Sequence, residues 1–155
     1  SWTLQTPTIA ALRQRPNLLI VQGDLQLSPN SLLPSDQFVI GGGTSLRGYR
    51  QNIRSGDNGF RFSVESRFTV ARDAAGVPKA YLAPFFDLGT VWNVDDNPNQ
   101  LPDQTFLLGA GLGAFWEPLP GLRLRVDYAV PFIDLDDRGD NLQDDGLYFN
   151  VNFRL

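Results

Sequence analysis

Apolar and polar side chains alternate one by one through three stretches of this chain. Over Phe60–Val70 the even positions are apolar (Phe60, Phe62, Val64, Phe68 and Val70, with Ser66 the exception), and Arg61, Ser63, Glu65, Arg67 and Thr69 hold the odd ones. Leu122–Val130 sets Leu122, Leu124, Val126, Tyr128 and Val130 against Arg123, Arg125 and Asp127. The last stretch sets Leu147, Phe149, Val151, Phe153 and Leu155 against Tyr148, Asn150, Asn152 and Arg154. A period of two puts alternate side chains on opposite faces of a sheet, so strands are expected at 60–70, 122–130 and 147–155. Looser alternation predicts three more at 18–27, 80–92 and 106–116. In the last of these Gly109, Gly111 and Gly113 share one face, and Phe106, Leu108, Leu112 and Trp116 the other. No stretch carries a convincing helical period. Ahead of residue 17, Trp2–Gln5 reads as a strand end and Ile9–Arg15 as a short helical turn or loop.

The connections alternate in length. Long polar segments fall at 28–59, 93–105 and 131–146, and short ones at 71–79 and 117–121. In an up-and-down meander every long connection then lies at one end of the sheet and every short one at the other. Alternating strands of about ten residues with that asymmetry are the signature of an outer-membrane barrel. The faces agree with it. One set is charged, and the opposite set carries large apolar side chains in every strand, with Trp92, Trp116, Tyr128 and Phe132 near strand ends where aromatic girdles lie. The fold expected is therefore all-β, an antiparallel up-and-down transmembrane β-barrel. A soluble sandwich or jelly roll, with the apolar faces packed on one another, is the alternative. Six strands alone leave two open edges, which lipid does not tolerate. The chain is thus expected to be part of a longer barrel.

Composition narrows the chemistry. At 155 residues the chain fits one domain. Its formal charge of −4 argues against a nucleic-acid partner, which calls for a basic face. Histidine, cysteine and methionine are all absent, which removes thiol nucleophiles, disulfides, histidine acid–base chemistry and zinc or iron–sulfur sites. The chain is not expected to be an enzyme or to hold a metal or cofactor. Asp134–Asp140 with Asp145 partly mimics a calcium loop, but Arg138 sits where a ligand belongs and no helices flank it, so a solvated extracellular loop is the better reading. The Arg138-Gly139-Asp140 triplet carries little weight.

The longest connection holds Phe38–Arg50, FVIGGGTSLRGYR, followed by Ser55–Gly59, SGDNG. Glycines before and after Arg47 permit a tight tip, and the segment is long enough to fold back into a barrel lumen. By parity Glu65 faces inward, and so does Asp87 if Leu82, Phe86, Leu88 and Trp92 face lipid. An unpaired buried carboxylate is costly, and an arginine can fork onto one carboxylate while reaching another. Gly109, Gly111 and Gly113 either make room for the inserted loop or merely relieve crowding in their strand.

The Arg47-Gly48-Tyr49 triplet behind a glycine cluster, the Phe86-Asp87-Leu88-Gly89 strand and the alternating final strand together resemble the two-partner-secretion outer-membrane transporters (TpsB, of the ShlB/FhaC/HecB type), which share a superfamily with the barrel-assembly insertase BamA. The resemblance runs from about Leu18 onward. It implies the C-terminal strands of a barrel of roughly sixteen strands, in the outer membrane of a bacterium, with POTRA domains absent from this stretch. It implies secretion of an unfolded haemolysin- or adhesin-like exoprotein through the lumen, without ATP. In that picture Glu65 and Asp87 hold Arg47, and the loop it tips is a gate, with Gly48, Tyr49 and Gly89 completing the motif. The resemblance also makes Tyr148, Phe149, Phe153 and Leu155 a signal read by the barrel-assembly machinery, although such signals usually close on Phe rather than Leu. Partners so implied are the exoprotein, outer-membrane lipid and that machinery. Alternatives are an insertase of the same superfamily, a small adhesin or passive pore of roughly eight strands if Trp2–Gln5 and Ile9–Leu12 contribute, and, more remotely, a carbohydrate-binding sandwich.

Overall fold

The computed structural model describes residues 17–137 and 139–154. The readings for Trp2–Gln5 and Ile9–Arg15, the end residue Leu155 and the arginine of the Arg138-Gly139-Asp140 triplet lie outside them. Eight strands are described: β1 (Asn17–Gln26), β2 (Phe38–Ile40), β3 (Arg54–Gly56), β4 (Asn58–Arg72), β5 (Pro78–Trp92), β6 (Phe106–Leu119), β7 (Leu122–Pro131) and β8 (Leu147–Phe153). Six form one sheet in the order β1-β4-β5-β6-β7-β8, every pair antiparallel, and β2 and β3 form a separate hairpin.

The meander's two short turns are tighter than the alternation suggests, because pairing continues past the last clean alternating residue. The β4–β5 ladder runs through bulges near Ala71 to Arg72 opposite Pro78. There Asp73 closes the turn by accepting from the N–H groups of Ala75 and Val77, each at 2.9 Å. The β6–β7 ladder resumes at Leu119 opposite Leu122, leaving Pro120 and Gly121 as the loop. The three long connections all leave the opposite end.

Strand parity divides the sheet cleanly. In β5 Ala83, Phe85, Asp87 and Val91 are buried, while their neighbours Leu82, Phe86 and Trp92 are exposed. The same outward row continues through Leu112 and Trp116 of β6, Val126 and Tyr128 of β7, and Phe149 and Phe153 of β8. Among the described residues no second sheet covers this apolar face, so the sandwich reading is overturned: a sandwich would seal these side chains, and they stand open instead. On the opposite face a cavity of about 1100 Å³ is lined by Ile20, Gln22 and Asp24 of β1 and by Tyr148 and Asn150 of β8. Strands at opposite edges share one cavity because the sheet curls. The curl does not close among the described residues; β1 and β8 are not paired to each other.

The β2–β3 hairpin, with the long tip between its strands, lies on this inner face. Ile40, Leu46 and Tyr49 from the hairpin pack with Val91 of β5, Leu107 of β6 and Leu135 of the last long connection. The apolar core therefore sits between hairpin and wall, towards the end with the long connections. Leu135 and Asp144 are buried there too, while Asp134, Asp136, Asp137, Asp140 and Asp145 of the same connection stand exposed, in keeping with the expectation of a solvated acidic loop. That loop packs over the hairpin because Arg54, its side chain 2% exposed, offers Asp137 a two-pronged guanidinium.

Candidate functional site

The register of the sheet sets the site. Ser63 pairs with Asp87 and Asp87 with Gly109; two residues further along, Glu65 pairs with Phe85 and Phe85 with Gly111. One row on, Gly113 lies opposite Asp127 and Asp127 opposite Tyr148. Three adjacent rows thus present Asp87, Glu65 and Asp127 to the interior, with glycines beside them.

Arg47 comes down onto this patch from the hairpin tip. Its Nε donates to Asp87 Oδ2 at 2.7 Å and Nη2 to Asp87 Oδ1 at 2.8 Å, a bidentate fork. The Arg47 backbone N–H adds a third bond to Oδ2 at 3.1 Å. Nη1 donates to Glu65 Oε2 at 2.8 Å, and Asp127 Oδ1 lies 3.7 Å away. The guanidinium also lies over the Phe85 ring, 3.4 Å from its centroid, where the electron-rich face adds a cation–π contact. Glu65 accepts further from Arg67 at 2.7 Å and Arg125 at 2.7 Å, and Arg125 grips Asp127 with two bonds. Ser63 Oγ donates to Asp87 at 2.6 Å. Three guanidinium groups thus face three carboxylates, and the cluster is neutral.

Glycines shape the seat, but not in the way a uniform ladder suggests. A Cβ on Gly109 would strike the Arg47 carbonyl oxygen, so Gly109 does receive the tip. Gly111 makes room for the Phe85 ring that lies under Arg47, and Gly113 for Asp127 and Arg125. The reading that all three accommodate the loop is corrected on this point. A Cβ on Gly89 would press on Leu46 at 3.0 Å, so that glycine admits the residue before the arginine. In the tip Gly48 has φ of 101°, a conformation that disfavours a side chain.

Tyr49 and Tyr148 complete the seat. Tyr49 Oη donates to the Leu108 carbonyl at 2.8 Å and accepts from the N–H groups of Leu108 and Ile133. Tyr148, on the inward side of β8, accepts from the Gly48 N–H at 2.9 Å and donates to the Tyr49 carbonyl at 2.7 Å. Phe149 and Phe153 point the other way and are exposed. Arg67, Arg125, Asp127, Ser63 and Phe85 were not singled out by sequence, although parity alone puts all five on the inward face.

The hairpin's base is held separately. Asp57, fully buried, accepts from the backbone N–H groups of Leu32 at 2.9 Å and Val94 at 3.1 Å and from the Asn97 amide at 2.8 Å. Burial alone would push its pKa up. The bonds from Asn97, Leu32, Val94 and Gln37 outweigh burial and hold it below the ordinary carboxylate value. Asp137 is held low as well, chiefly by the Arg54 guanidinium.

A curled antiparallel sheet with an apolar exterior and a charged interior on which a hairpin lies defines a segment of a membrane β-barrel. The family model of the Omp85 superfamily domain matches residues 7–155, and the chain belongs to that superfamily of bacterial outer-membrane β-barrel proteins. Among solved structures it is similar to CdiB from Acinetobacter baumannii, a TpsB transporter, with 26% identity and a TM-score of 0.68 over 92% of this chain. The match covers 24% of CdiB, so the chain spans about a quarter of that protein's length. No curated protein matches the chain by sequence.

Proposed function

We propose that this chain is the C-terminal part of an outer-membrane pore that secretes a partner exoprotein, haemolysin- or adhesin-like, and that its β2–β3 hairpin is the plug. The observation that carries the proposal is the Arg47 guanidinium, brought from a long connection onto Asp87 and Glu65 at the inner wall. An arginine that served solubility alone would stand in solvent. Here it is nine-tenths buried, and its removal leaves carboxylates facing a hollow interior. Likeness to CdiB supports the secretion branch over the insertase branch. Outward apolar rows contact outer-membrane lipid in this reading, and Phe149 and Phe153 of β8 face the barrel-assembly machinery.

Secretion of the cognate exoprotein by the full-length parent tests the proposal. With Arg47→Ala the barrel is expected to reach the outer membrane, as read from its heat-modifiable mobility, while exoprotein in the medium falls at least about tenfold. Undiminished secretion would overturn the plug's role.

A further inference from the structure

Resting on that reading, we infer that Tyr148 is a positioning residue that latches the plug to the terminal strand. Its single hydroxyl makes two short bonds to adjacent peptide groups of the tip, accepting from Gly48 N–H at 2.9 Å and donating to the Tyr49 carbonyl at 2.7 Å, with the Gln143 carbonyl at the longer distance of 3.5 Å. The shorter of its two donor contacts and its bond from Gly48 both go to the two residues that follow Arg47.

Two further features fit this geometry. The third glycine of the cluster, Gly43, would carry a Cβ 3.1 Å from Tyr148 Cδ1, so the loop leaves a gap where the ring passes. Gly43 is not among the glycines at positive φ, so its smallness serves space rather than backbone conformation. Tyr148 also stands opposite Asp127 in the β7–β8 ladder, which places it one strand from the Arg47 cluster rather than within it. The latch and the ion cluster therefore hold the same tip from different strands. Shifting β8 along its neighbour breaks both latch bonds at once and leaves Arg47 on Asp87. The strand and the plug are coupled through one side chain.

The test uses the full-length parent in a cysteine-free background carrying Ser45→Cys. The Ser45 hydroxyl is buried and, among the described residues, has no hydrogen-bond partner, so the new thiol replaces no bond and is shielded while the tip is seated. Its labelling rate by a methanethiosulfonate reagent reports unseating. Tyr148→Phe keeps the ring and removes the hydroxyl. With assembly unchanged, it is expected to raise the rate about tenfold, the effect of losing two hydrogen bonds of ordinary net strength. Arg47→Ala is run alongside. A wild-type rate in Tyr148→Phe with acceleration in Arg47→Ala would overturn the latch and leave the plug standing. Wild-type rates in both would overturn the plug, and the latch with it. Should Tyr148→Phe fail to assemble, Gly43→Val decides, because it displaces the ring from the loop side without altering β8. Acceleration there supports the latch, and a wild-type rate overturns it.

Discussion

Asp87 depends on Arg47 more than the other two carboxylates do. Glu65 keeps Arg67 and Arg125 if Arg47 is lost, and Asp127 keeps Arg125. Among the described residues Asp87 would keep no charged partner, only the Ser63 hydroxyl and, while the tip stays seated, the backbone N–H of residue 47, while being 1% exposed. Removing one partner of a buried pair costs roughly 3–5 kcal/mol, because the other charge is left uncompensated. Replacing both partners by neutral groups avoids that orphan. Arg47→Ala/Asp87→Asn is therefore expected to melt above Arg47→Ala in thermal unfolding of the reconstituted barrel, although neither variant seats the tip. A double variant no more stable than the single would show that Asp87 is not the group left exposed. At this scale the sequence is legible where parity and the family motif coincide, as at Arg47, Glu65 and Asp87. Phe85 carries no charge and breaks no local rule, and Tyr148 is flagged only as part of the assembly signal, so sequence does not reveal that either meets the tip. Their contacts arise only once the hairpin is folded back across long sequence separation.

The hairpin is an element held at three levels: its base by Asp57, its flank by Arg54 and Asp137, and its tip by the arginine cluster and two tyrosines. Gly109 sets how close the tip can come. Gly109→Ala should unseat it and reproduce the secretion loss of Arg47→Ala. Gly23→Ala, whose new methyl meets only ordinary contacts at 3.7 Å or more, should leave secretion unchanged. Loss in both would mean that any added methyl in the wall is harmful. The flank and base also predict a pH response. Asp57 and Asp137 have folded pKa values below their ordinary ones, so the anchoring they give is complete above the ordinary carboxylate range and is lost as pH falls through the folded values. With no histidine in the chain, tip unseating measured by Ser45→Cys labelling should be flat from about pH 5 to 8 and rise only below about pH 4. A step near pH 6 would contradict this. Alternation within the chain does not reveal the hairpin, because β2 and β3 are three residues each and too short for a period to register. The connection 131–146 was legible only in part: its acidic residues Asp134, Asp136, Asp137, Asp140 and Asp145 are exposed as their composition suggests. What composition does not show is that Leu135 packs into the core beneath it and that Asp137 pairs with the buried Arg54 of β3.

Across the whole molecule the strand pattern was the most legible feature, since a sheet facing lipid on one side and water on the other must alternate. The six long strands follow from that requirement; at the two short turns bulges let pairing run past it, near Ala71 and Trp116, and elsewhere ends differ by one or two residues, as at Asn58 of β4 and Phe153 of β8. The outward face is apolar from β1 to β8, and the inward face holds a neutral knot of charges around one arginine. Planar-bilayer conductance of the full-length parent, wild type beside Arg47→Ala, tests most directly whether that knot keeps the interior closed. The wild-type channel should be mostly shut with brief openings, and Arg47→Ala should hold a larger, lasting open level. Identical open probability and amplitude in the two proteins would contradict the account.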